Sequence, residues 1–261
     1  MTPLPPPTPS RPRVLVTRPE GQGVRLAELL RDAGFDPVLV AVTELTPSRD
    51  GAAVREVWES LDAADWLVVT SPTGAGMLGA GAPESGWAGL RRHPRVAAVG
   101  TATVRALNAL SIPVEVVPHQ HDGEALCHAL APRVVGQRVV VAQAANARPV
   151  LRDGLAQAGA RVAWFGIYES HDRIAARVEL QHALREGLDW VTATSSEIVR
   201  ATVRAAGEAE LALLHRCRVA SIGVLTTATL QECGFAVTIE ADPSTSEALV
   251  RAMRAWSDGH P

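Results

Sequence analysis

The chain contains no lysine: all 25 of its basic residues are arginine. That absence excludes every chemistry that needs an amine, including a GK[ST] phosphate loop, a Schiff-base lysine, an S-x-x-K acylase and a kinase β3 lysine. What remains is a set of permanently charged, fork-shaped donors suited to carboxylate or phosphate. Cysteine is also scarce. Cys127, Cys217 and Cys233 are an odd number, far apart and without a C-x-x-C, which reads as reduced thiols in a cytosol and not a disulfide framework. No apolar run approaches the roughly 18 residues of a membrane span. The proline-rich start, MTPLPPPTPSRPR, has no apolar stretch of the signal-peptide kind. Residues 1–12 are expected to form a solvated tail. A net charge of −3 gives no electrostatic footprint for nucleic acid or an acidic membrane.

What the chain does have is an internal repeat. Its 261 residues, 47 % hydrophobic and 20 % charged, provide material for two domains. VLVTRPEGQGVRLAELLRDAGF (Val14 to Phe35) aligns with VVVAQAANARPVLRDGLAQAGA (Val139 to Ala160) at an offset of 125. DWLVVTS (Asp65 to Ser71) aligns with DWVTATS (Asp189 to Ser195) at 124, and GTATVRAL (Gly100 to Leu107) with GVLTTATL (Gly223 to Leu230) at 123. GEAL from Gly123 and SEAL from Ser246 keep the same order at 123. Four ordered blocks with a period of about 124 residues describe two copies of one fold unit.

Each unit alternates short apolar runs with amphipathic segments. The first has expected strands at Arg13–Thr17, Pro37–Val42, Trp66–Thr70, Val96–Val99 and Val114–Val117. The second has them at Arg138–Ala142, Val162–Tyr168, Trp190–Thr194, Arg218–Ile222 and Ala236–Ile239. Near-continuous Val/Ile/Leu strands separated by helices predict an α/β fold with parallel sheets covered on both faces. Five strands per unit is a flavodoxin-like count. Ligands of such sheets bind beyond the carboxyl ends of the strands, where loops enter helix N-termini. The small polar residues of the repeat fall there: Thr17-Arg18, Thr70-Ser71 and Thr103 in one copy; Asn146 and Arg148, Thr194-Ser195 and Thr226 in the other. Helix capping is the commonest job of any single Ser or Thr; the duplicated set points instead to contact with an oxyanion.

Several motifs lead nowhere. Gly74-Ala75-Gly76-Met77-Leu78-Gly79 is a literal G-x-G-x-x-G, but the next strand ends in Gly100 and not in the acidic residue a dinucleotide ribose needs. It reads as a glycine-rich surface segment. His119, His121, Cys127 and His128 match no zinc spacing, and no metal site is expected. GxSxG is absent. Tyr168 stands apart as the only tyrosine, at the end of VAWFGIY. A phenol there can give or take one proton, and its ordinary pKa near 10 favours giving.

These blocks together resemble the uroporphyrinogen-III synthase family. The resemblance is carried by VLVTRPE (14–20), DWLVVTS (65–71), VGTATVRAL (99–107), NARPVLRDGLAQAGARVAWFGIYES (146–170), DWVTATSS (189–196) and IGVLTTATL (222–230), and covers residues 13–255. It implies two flavodoxin-like domains that do not coincide with the repeat units, joined by a two-stranded linker, with the substrate in the cleft. One domain would be residues 1–43 plus 172–261 and the other 46–168, with crossings at 44–45 and 169–171. The implied reaction is a cofactor-free cyclisation of hydroxymethylbilane, a linear tetrapyrrole rich in acetate and propionate groups, to uroporphyrinogen III with inversion of ring D. Carried over by position, Tyr168 becomes the proton donor to the departing hydroxyl. Ser71, Thr103, Ser195 and Thr226 become substrate-binding hydroxyls, with Ser196 beside Ser195. Arg18 and Arg148 are added as carboxylate partners on electrostatic grounds. The resemblance further implies a cytoplasmic monomer that meets the upstream deaminase transiently. Its rivals are a non-catalytic two-lobed sensor of a small anion or tetrapyrrole, and a two-lobed sugar-nucleotide transferase.

Overall fold

The computed structural model describes residues 11–120 and 122–260, with the backbone alone at Arg49 and Asp50. Most of the expected tail and His121 lie outside the described residues. Pro12, placed in that tail, belongs to the fold, because its carbonyl accepts the Asp36 N–H at 2.9 Å.

Contacts divide the chain into two compact units, one made of the chain up to Glu44 and from His171 on, the other of Leu45–Ser170. The strands and helices follow in chain order as β1 (Arg13–Val16), α1 (Val24–Asp32), β2 (Asp36–Leu39), β3 (Thr43–Pro47), α2 (Ala52–Leu61), β4 (Trp66–Val69), α3 (Pro72–Ala80), β5 (Arg95–Ala98) and α4 (Thr101–Asn108). Then come α5 (Gly123–Leu130), β6 (Arg138–Ala144), α6 (Val150–Gln157), β7 (Arg161–Asp172), α7 (Ala176–Arg185), β8 (Trp190–Ala193) and α8 (Ser196–Ala205). The chain closes with α9 (Glu208–Leu214), β9 (Arg218–Ser221), α10 (Val224–Glu232), β10 (Ile239–Glu240) and α11 (Ser246–Gly259).

The sheet of the first unit has the order β10-β9-β8-β1-β2 with every neighbouring pair parallel. That of the second has the order β3-β7-β6-β4-β5, with β7, β6, β4 and β5 mutually parallel. Central strands are apolar throughout because helices cover both faces: every residue of β4 and β8 is buried. In the first sheet β1 lies between β2 and β8, and in the second β4 lies between β5 and β6. Strand order reverses at β1/β8 and at β4/β6, the flavodoxin-like arrangement whose ligands sit at that switch point.

The expected strand Val162–Tyr168 runs on to Asp172 as β7, because β3 pairs along its edge, so Tyr168 lies inside a strand and not at its end. Three further expected strands differ. Pro37–Val42 ends at Leu39, and a separate strand, β3, follows and joins the other sheet beside β7. Val114–Val117 contributes one bridge, Ala97 with Val116. Ala236–Ile239 is replaced by the two-residue β10, which starts at Ile239. All three are edge positions, where one neighbour supplies half the ladder and apolar sequence alone does not hold a strand. The glycine run is also corrected: Gly74–Gly79 lies within α3, and its Gly74, Ala75 and Leu78 are buried.

Candidate active site

In the second unit, β4 ends at Val69 and Ser71 starts α3. The Gly74 N–H donates to Ser71 Oγ at 2.9 Å, satisfying one orphan donor of the helix's first turn. Ser71 Oγ lies 3.0 Å from Tyr168 Oη, although Tyr168 stands two strands away on β7. A register shift makes this reach possible. Gln143 of β6 pairs with Gly166, but Ala144 pairs with Tyr168, so Ile167 is extra. Such a bulge turns the following side chain to the opposite face. Along β7, Val162 and Trp164 pack in one hydrophobic cluster and Ala163, Phe165 and Ile167 in the other. Tyr168 joins the second cluster, with Leu67 and Val69 of β4.

Tyr168 is 8 % exposed. Burial pushes its phenol above the ordinary value, opposed by the hydrogen bond with Ser71. The hydroxyl therefore keeps its proton at neutral pH. Thr103 is the third residue of α4 and 1 % exposed. Its helix begins at Gly100 with no side chain capping the first turn, which leaves backbone N–H groups available to a ligand oxygen.

Arg148 follows β6, and its guanidinium is held by Glu124 of α5 at 2.7 and 3.2 Å. Its side chain is 68 % exposed. Any substrate carboxylate would have to compete with Glu124 there. Gln143 was not among the residues picked from the sequence. It is 2 % exposed, and its Nε2 has no hydrogen-bond partner among the described residues. A lone polar residue in the apolar run RVVVAQA was the available signal.

In the first unit, Ser195 caps α8 as Ser71 caps α3, accepting the Ile198 N–H at 3.2 Å. Ser196 Oγ donates instead to the Leu225 carbonyl at 3.2 Å and is bonded by Thr229 Oγ1 at 2.8 Å. Thr226 is the third residue of α10, buried, behind an uncapped Gly223. Arg18 follows β1 and is part-buried. Burial lowers its pKa, and among the described residues it has no ion pair or hydrogen bond. A desolvated guanidinium without a counter-charge is a prepared seat for a carboxylate.

Among the described residues, no group of three or more His, Cys, Asp or Glu gathers, and no helix is long and apolar enough to cross a membrane.

The family model for uroporphyrinogen-III synthase HemD matches residues 24–251. A uroporphyrinogen-III synthase of Synechococcus elongatus is 27 % identical over 252 residues, covering 94 % of this chain and 95 % of that protein. Among solved structures, a mutant uroporphyrinogen III synthase of Thermus thermophilus superposes with a TM-score of 0.68 at 19 % identity, covering 95 % of this chain and 100 % of that one. That of Helicobacter pylori gives 0.58 at 14 %, covering 94 % and 99 %. At these identities the superpositions speak for the fold.

Proposed function

Because this chain belongs to the uroporphyrinogen-III synthase family, we propose that it cyclises hydroxymethylbilane to uroporphyrinogen III, with Tyr168 as the proton donor. The observation that carries the role of Tyr168 is the buried phenol fixed 3.0 Å from Ser71, just past the carboxyl end of β4.

The chemistry follows from the substrate. Electron push from the ring A pyrrole nitrogen breaks the bond from the hydroxymethyl carbon to oxygen. The electron pair leaves with the oxygen, which takes the Tyr168 proton and departs as water. The substituted carbon of ring D attacks the resulting azafulvene cation and forms a spiro-pyrrolenine. Fragmentation and reclosure through the other ring D carbon invert that ring, and the proton lost as the pyrrole regains aromaticity returns to the phenolate. The net change is loss of one water. Since the departing group is already pushed by an electron-rich pyrrole, the protein contributes mainly by holding a flexible polyanion in one reacting geometry.

The holding groups in this reading are Arg18, Thr103, Ser195 and Thr226, with the uncapped starts of α4 and α10. Arg148 takes part only by exchanging Glu124 for a substrate carboxylate. We also read the two units as products of one internal repeat whose crossings fall at 44–45 and 169–171. The contact division after Glu44 and Ser170 supports this, as do matched devices 124 residues apart. Asp65 accepts the Arg138 N–H at 2.9 Å and Asp189 the Arg13 N–H at 2.8 Å, each tying the start of the adjacent strand. A cytoplasmic monomer receiving its unstable substrate from the deaminase completes the reading.

The deciding experiment supplies enzymatically generated hydroxymethylbilane, oxidises the product and resolves the isomers. Type III should dominate when the protein is present. If only the spontaneously formed type I appears, the chain is a binder and not a synthase.

A further inference from the structure

We propose that Ser71 is a positioning residue that orients the Tyr168 proton, through a one-way relay running from Gly74 N–H to Ser71 O–H to Tyr168 O–H. The inference rests on the reading of Tyr168 as proton donor and assigns Ser71 a task other than substrate contact.

A serine hydroxyl has one hydrogen and two lone pairs. One lone pair of Ser71 Oγ is taken by the Gly74 N–H at 2.9 Å, and Tyr168 Oη stands at 3.0 Å. Two arrangements are open. If Tyr168 donates to Ser71, the phenol spends its only proton inside the protein and has none for a leaving group. If Ser71 donates to Tyr168, the phenol hydrogen is free to point outward.

The N-terminus of α3 decides between them. Its partial positive charge favours oxygen lone pairs facing the helix and hydrogens facing away. In the second arrangement every dipole is aligned in that sense, and each bond strengthens the next. In the first, the phenol O–H points its positive end back at the helix start. The relay also prepares for the transfer itself: once the phenol has given its proton, Ser71 already donates to the phenolate oxygen.

Ser195 provides the internal comparison. It makes the same cap on α8, by way of Ile198, in a unit whose sequence contains no tyrosine. A capping serine by itself is therefore the shared feature, and the phenol is the addition peculiar to Ser71.

Because Tyr168 is the sole tyrosine, ultraviolet difference titration of the folded, full-length chain reads this phenol alone. In Ser71→Ala, loss of a hydrogen bond to the ionised form should move the phenol ionisation to higher pH. The same change should lower kcat about 3- to 10-fold with KM within about twofold, as expected for one net hydrogen bond. Ser71→Thr keeps both the cap and the donor and should restore titration and kcat. Ser71→Asp keeps the cap but only accepts; it should fold, yet lose turnover as the phenol donates inward. Ser195→Ala should lose comparable stability without moving the titration.

An ionisation that stays in place or moves to lower pH in folded Ser71→Ala overturns the relay, as does full turnover in Ser71→Asp. Failure of the donor reading looks different: Tyr168→Phe would then turn over like the wild type while the Ser71→Ala titration still moved.

Discussion

Ile167 and Tyr168 are consecutive residues of β7, yet both pack into the same hydrophobic cluster. A regular strand would send them to opposite faces. The bulge opposite Gln143 and Ala144 removes that alternation for one residue and brings the phenol onto the face that carries Leu67, Val69 and then Ser71. The site therefore depends on a backbone irregularity as much as on the tyrosine.

Gly166 makes the bulge possible. A Cβ there would lie 2.7 Å from Ala145 Cα and Cβ. Gly166→Ala should destabilise the chain by about 1–3 kcal/mol through this overlap. It should also lower kcat by displacing Tyr168. Gly76, with nothing within 4 Å of a Cβ, is the counterpart in the G-x-G-x-x-G run. Gly76→Ala should raise Tm slightly, since alanine is favoured over glycine in an exposed helix by about 0.5–1 kcal/mol. Melting curves and steady-state rates on both variants check this pair; equal behaviour would contradict it.

Removing the phenol hydroxyl alone tests the chemistry. General-acid contributions run about 10²–10⁴-fold, and the substrate's own electron push puts Tyr168→Phe at or below the low end in kcat. Product affinity and Tm should change little. Because burial raises the phenol's pKa, kcat should hold on the alkaline side until above the ordinary phenol range near 10. A decline setting in near neutrality would assign the essential proton elsewhere.

Arg18 and Arg148 should separate cleanly. Arg18→Met deletes a desolvated charge without a partner among the described residues and should raise KM about 10- to 100-fold, as for a charge-assisted hydrogen bond, without lowering Tm. Arg148→Ala breaks a solvent-exposed pair and should shift KM no more than about threefold. Binding of uroporphyrinogen by calorimetry gives an independent ranking, and the reverse order would refute the assignment.

Asp65 sets an acid limit on the second unit. The Arg138 N–H holds its carboxyl below the usual range, helped by Arg92. A depressed carboxylate stabilises the fold above its unfolded pKa of about 3.9, and that contribution is lost as pH falls through the folded value. Asp65→Ala should cost about 1 kcal/mol at pH 7, one backbone hydrogen bond's worth, and progressively less below pH ~4. Urea unfolding at several pH values follows the difference, which would stay constant if the carboxylate charge were irrelevant.

Local signals in the sequence were sufficient for the parts that short stretches of chain decide. The apolar runs of β4, β6 and β8 fixed buried parallel strands, because a strand covered on both faces tolerates few polar residues. Ser71 and Ser195 marked helix starts, because a cap acts within three residues. Arg18 and the two G-x-x-T threonines lie just past a strand end and in helix first turns for the same reason, whereas Tyr168, expected at a strand's end, lies inside β7. Other features require partners far away in the chain. β1 finds β8 some 175 residues later, and β3 exists only because β7 offers it an edge. Glu124 neutralises Arg148 across 24 residues. The turn of Tyr168 toward Ser71 arises from register across β6, a property of paired strands that neither strand carries in its own sequence.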